Sequence, residues 1–95
     1  MEFDAMKFGM RIQEVRIQRG MTQEQLAEAT NMSRENISRL ERGTRTCSFE
    51  YLIRIAMVLD VSTDYLLIGK ETDKDKLRES LNLLMDQMSR FAQNL

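Results

Sequence analysis

Four hydroxyl-bearing residues divide most of this chain into short helices. Thr22, Ser33, Ser48 and Ser62 each stand just before a run with apolar residues at helical spacing. In that position a side-chain oxygen can accept from the unpaired amides of a first turn. Thr22 and Gln25 have capping-box spacing, and Met21–Leu26, Met32–Ile37 and Val61–Leu66 have the spacing of hydrophobic staples. Gly20, Gly43 and Gly69 fall where helices are expected to stop. The pattern predicts a first helix on Phe8, Ile12 and Val15 and a short second from Thr22. SRENISRLER gives a third. FEYLIRIAMVLD gives a fourth, with Leu52, Ile55, Ala56 and Leu59 inward, and a fifth runs from Ser62 to near Gly69. Proline is absent and only four glycines occur, while good helix formers dominate, so the expected fold class is all-α.

With 95 residues, one compact domain with a thin core and a short extra element is expected. The formal charge is −1, so position matters more than total. Residues 33–45 hold Arg34, Arg39, Arg42 and Arg45 against Glu35 and Glu41, whereas residues 1–32 carry a slight acidic excess. A modest positive spot on a neutral body suits docking on DNA by shape and a few contacts, not coating nucleic acid through bulk charge.

One cysteine, Cys47, and no histidine leave no intrachain disulfide and no Cys/His zinc site. Nor is there a Gly-rich phosphate loop or a nucleophile–base pair, so neither an enzyme nor a cofactor or metal is expected. The start, MEFDAMKFGM, lacks the apolar core of a signal peptide, and the runs AMVL and YLLI are too short to span a bilayer. A lone thiol is compatible with a reducing cytosol, so a cytoplasmic protein without a membrane partner is expected. The eight methionines read as core filler and soft interface.

The second and third helices are separated by about three residues. Ala27, small and inward, permits a close crossing there. Asn31 sits in the turn, where the backbone needs positive φ that asparagine tolerates. If Ile37 and Leu40 fix the third helix to the core, Ser33, Arg34, Glu35, Asn36 and Arg39 face outward. Arg can bind guanine through two hydrogen bonds, Asn can bind adenine, and Glu can accept from the cytosine amino group. At the start of an exposed helix such side chains could enter a major groove. A solvated face with a Glu35–Arg39 pair explains the same residues. Arg42 and Arg45 could equally serve the helix dipole.

The segment RIQEVRIQRGMTQEQLAEATNMSRENISRLERG, followed by LIRIAMVLDVSTDYLL, resembles the helix-turn-helix domain of the lambdoid-repressor/Cro family, also called the XRE family. The resemblance covers roughly residues 7–69, with Asn31 where the family often has glycine. It implies a five-helix lambda-repressor-like domain and a transcriptional regulator, repressor in kind, that reads double-stranded DNA with helix 33–42. Ser33, Arg34, Glu35, Asn36 and Arg39 would then read bases. Thr22 and Gln23, at the start of the second helix, would meet phosphate, as would Arg42, Thr44 and Arg45. Arg16 and Glu41 would form an ion pair tying the first helix to the third.

Residues 70–95 lie outside that domain. KETDKDK reads as a hinge, and Thr72 and Asp75 fit another helix start. Beyond them Leu77, Leu81, Leu84, Met88, Phe91 and Leu95 recur with spacing near 3.5, the pattern of a coiled-coil seam. The expectation is a C-terminal amphipathic dimerisation helix and a homodimer on a near-palindromic operator. Two alternatives are a tail folded back onto its own domain and a regulatory protein partner on this helix.

Overall fold

Each of the first five helices starts at a side chain that caps it. In the computed structural model, which describes the backbone of residues 2–70 and 73–93 and the side chains of 2–70 and 77–90, α1 spans Ala5–Gln18. Its cap is Asp4, whose carboxylate accepts from the amides of Met6 and Lys7 at 3.0 and 3.1 Å. α2 is Gln23–Thr30, opened by a reciprocal capping box in which the Gln25 amide donates to Thr22 and the Thr22 amide donates to Gln25. α3 is Arg34–Glu41, α4 Phe49–Leu59 and α5 Thr63–Ile68, capped by Ser33, Ser48 and Ser62. α6 spans Asp73–Gln93. Every regular element among the described residues is helical, so the fold is all-α.

The helix ends are closed as deliberately as the starts. Asn31 and Asp60 adopt left-handed backbone, with φ of 59° and 57°, at the ends of α2 and α4. The short polar side chains of Asn and Asp tolerate that region better than others do. Three arginines reach terminal carbonyls: Arg19 donates to Leu59 at 2.9 Å, Arg11 to Leu66 at 3.2 Å and Arg54 to Thr30 at 3.4 Å. Each also sets a cation at the negative end of a helix dipole.

α1–α5 wrap one core, in which Ile12, Leu26, Ile37, Leu40, Ile55, Leu59 and Leu66 are fully buried. α1 and α3 approach each other closely at Gly9. A Cβ there would lie 2.1 Å from the Leu40 carbonyl oxygen and 2.7 Å from that of Glu41. The sequence reading did not single out Gly9, because its role depends on a helix crossing. α1 also begins at Ala5, upstream of the boundary expected at residue 7.

The tail helix begins where the Thr72 signature expects. α6 is already helical at Asp73, so the stretch read as a hinge is partly helical. Thr72 and Leu95, and the side chain of Phe91, lie outside the described residues. Leu77, Leu81, Leu84 and Met88 are 50–64% exposed. Glu79, Asn82, Leu83 and Asp86, on the opposite side of the helix, and Arg78, at the flank of the stripe, line a groove of about 460 Å³ with Val15, Gln18, Arg19, Val61 and Tyr65 of the body. α6 thus turns a mostly polar face to its own domain and its leucine stripe away. α4 also shows an apolar outer row that the sequence reading did not note: Phe49, Ile53 and Met57 are all exposed. Among the described residues, no helix is long and apolar enough to cross a membrane.

Candidate nucleic-acid interface

The candidate interface rests on the α2–turn–α3 unit. Ala27 is buried and Asn31 turns the chain, so α3 follows α2 after only three residues. Ile37 and Leu40 hold the inner side of α3 in the core. That leaves Ser33, Arg34 and Glu35 exposed and Asn36 and Arg39 half-buried on the outer side. The Ser33 hydroxyl caps α3 by accepting from the Asn36 amide at 3.1 Å, which leaves its own proton free to donate outward.

Arg39 pairs with Glu35 at 2.7 Å, one turn away on a solvated face. Arg45 reaches back from the following loop to donate to the Asn36 side-chain oxygen at 3.0 Å. The loop itself is fixed by Thr44, whose amide and hydroxyl both donate to the Arg39 carbonyl, at 3.1 and 3.2 Å. Arg42 is exposed at the α3 C-cap.

Behind this face lies a buried ion pair. Arg16 Nε and Nη2 donate to the two carboxylate oxygens of Glu41 at 2.7 and 3.0 Å, and Arg16 Nη1 donates to the Met21 carbonyl at 2.9 Å. The side chains are 11% and 2% exposed, so the pair is largely shielded from water. Gln23 joins it, its amide donating to Glu41 at 3.1 Å. The start of α2 and the end of α3 are therefore bound to α1 through a single carboxylate.

Pairing Glu41 inside the core changes the electrostatics outside. Within 33–45, four arginines now stand against one exposed carboxylate, that of Glu35. The fold brings Gln23, Arg34, Glu35 and Ser38 around one shallow depression between the start of α2 and α3. Ser38 was missed, although its position four residues after Arg34 was the signal that could have found it. Thr22, whose hydroxyl serves the capping box, is exposed at the α2 start but does not line this depression. Cys47, half-buried between the loop and α4, has its thiol pKa pushed up by burial. Among the described residues, no group of three metal-ligating side chains converges.

Comparison with known proteins gives the same geometry a family. The helix-turn-helix family matches residues 12–66. The HTH-type transcriptional regulator ImmR of Bacillus subtilis (strain 168) is 32% identical over 87 residues, covering 87% of this chain and 68% of ImmR. Among solved structures, the P22 c2 repressor in complex with synthetic operator 9T superposes with a TM-score of 0.65 at 32% identity, over 66% of this chain and 96% of the repressor. The clp gene regulator ClgR of Corynebacterium glutamicum has a TM-score of 0.64 at 26% identity and covers 92% of this chain and 87% of its own, a span that includes part of α6. This chain belongs to the helix-turn-helix family of the lambdoid-repressor and Cro type.

Proposed function

We propose that this chain is a sequence-specific, double-stranded-DNA-binding transcriptional regulator, repressor in kind, that lays α3 in the major groove and acts as a homodimer. The observation that carries the reading is the outer face of α3: base-reading side chains at its start, an arginine-rich rim, and an inner face locked in the core. Likeness to a repressor bound to its operator supports it.

In this reading Arg34 and Arg39 approach base edges, where a guanidinium can hold guanine O6 and N7 together. Glu35 either accepts from a cytosine amino group or keeps Arg39 extended through the pair already formed. Ser33 and Asn36 complete the reading face. Thr22, Gln23, Arg42, Thr44 and Arg45 meet phosphates on either side and set register. Gln23 is suited to this, because Glu41 fixes its side chain beforehand and little rotamer freedom remains to be lost.

The stripe Leu77, Leu81, Leu84 and Met88 supports the dimer, continued in the sequence by Phe91 and Leu95. An isolated amphipathic helix is marginal in water and gains its stability by packing its apolar face. Since α6 turns that face away from its own domain, the surface that covers it comes from another chain. A second copy meets the need symmetrically and places two α3 helices on half-sites about one DNA turn apart. Residues 7–69 then form the reading domain and 70–95 the assembly segment.

Selection of bound sequences from random duplex DNA tests the function. The expected result is an enriched motif with inverted symmetry. Recovery of unenriched sequence would reject sequence-specific reading.

A further inference from the structure

Among the described residues, the groove between α6 and the body is bridged at Arg78. Arg78 donates to the main-chain carbonyl and to the carboxylate of Asp60. It is the one α6 side chain among the described residues that is not exposed. Its partner is a rigid point of the body. Asp60 is the left-handed cap of α4, its amide bonded to the Met57 carbonyl and that of Val61 to Ala56. The preceding Leu59 is fully buried, and Arg19 holds the Leu59 carbonyl.

We infer that Arg78 and Asp60 form a clamp that fixes the direction of α6, so that the spacing of DNA half-sites the dimer accepts is set by this contact and not by the leucine stripe. The effect is mechanical and rests on the dimer proposed above. The chain enters α6 from the α5 corner, and a helix joined at one end alone can pivot. A second attachment, at Asp60, removes the pivot. Arg78 stands about a quarter turn round α6 from the middle of the stripe, so a partner helix can pair with the stripe while Arg78 stays on Asp60. The clamp carries the angle of α6 to the body through to α3. Arg78 is thus a positioning residue for DNA reading that does not itself touch DNA.

The test uses the full-length chain, its Arg78→Ala and Asp60→Asn variants, and the two combined. Asparagine keeps the left-handed backbone that residue 60 needs. The probe is the inverted repeat selected by the unaltered protein, rebuilt with its half-sites moved apart one base pair at a time. Sedimentation of the free proteins is run in parallel. We expect both single variants to dimerise as the unaltered chain does and to discriminate less between spacings, with Arg78→Ala about fivefold weaker at the preferred spacing and Asp60→Asn, which keeps both acceptors and loses only the charge, less affected. The double variant is expected to match Arg78→Ala. A spacing profile unchanged in both single variants overturns the clamp and leaves the dimer standing. Loss of dimerisation in both overturns it as well, by placing Arg78 and Asp60 in the interface. An unaltered protein that itself shows no spacing preference overturns the dimer reading and the clamp together.

Discussion

Glu41 shows how much one residue can hold. Its carboxylate accepts from Arg16 twice and from Gln23 once, so α1, α2 and α3 meet at a single anion. Removing one partner of a buried pair strands the other charge, which costs roughly 3–5 kcal/mol. A Glu41→Ala chain is therefore expected to unfold at markedly lower denaturant, although Glu41 faces no base. A change under about 0.5 kcal/mol, the ordinary surface range, would contradict the coupling. Arg34 and Arg39 differ in kind. Replacing either by Ala is expected to cost roughly 1–3 kcal/mol on the selected site and to relax preference at one base pair. Arg42→Ala or Arg45→Ala is expected to weaken binding on all sequences alike and flatten the salt slope by about one unit. Site selection repeated with each variant separates the two classes, and full base preference retained by Arg34→Ala would misplace α3. The outward set at 33–39 was legible in the sequence, because Ile37 and Leu40 fix which side of a short helix is dry. The bond from Arg45 to Asn36 was not, since it joins residues across a loop whose path no periodicity reports.

The elements were the most legible level, for a physical reason. Thr22, Ser33, Ser48 and Ser62 announce starts locally, and Asn31, Gly43 and Gly69 announce stops, all within a turn of the boundary. What stayed hidden were properties of pairs of elements. Gly9 looks like a weak spot in α1, yet it is where α1 touches the α3 backbone. Gly9→Ala is accordingly expected to destabilise the fold by about 1–3 kcal/mol or more, despite alanine's better helix propensity. A thermal melt checks this, and an unchanged or higher midpoint would show that the α1–α3 crossing relaxes freely. The Asp4 cap and the arginines on the ends of α2, α4 and α5 were unread for a related cause. Asp4 precedes Phe8, the first buried apolar residue, by a full turn, and Arg11, Arg19 and Arg54 act on helices other than their own.

For the whole molecule, the question is what a helix with an outward apolar stripe is for. No described α6 residue belongs to the core, so α1–α5 are expected to fold without it. The stripe was visible in the sequence as a spacing. Which side of α6 faces the body was not, because that depends on Arg78 meeting Asp60. If α6 joins two copies, each recognition helix reads only a few base pairs and the pair supplies the affinity. The direct test is sedimentation of the full chain beside a chain ending at Lys70, each alone and with the selected duplex. The full chain is expected to be a dimer. The shortened chain is expected to be folded and monomeric at micromolar concentration, with most of its operator affinity gone. An unchanged dimer constant after truncation would contradict this expectation, moving the interface onto the globular body, where Phe49, Ile53 and Met57 stand exposed.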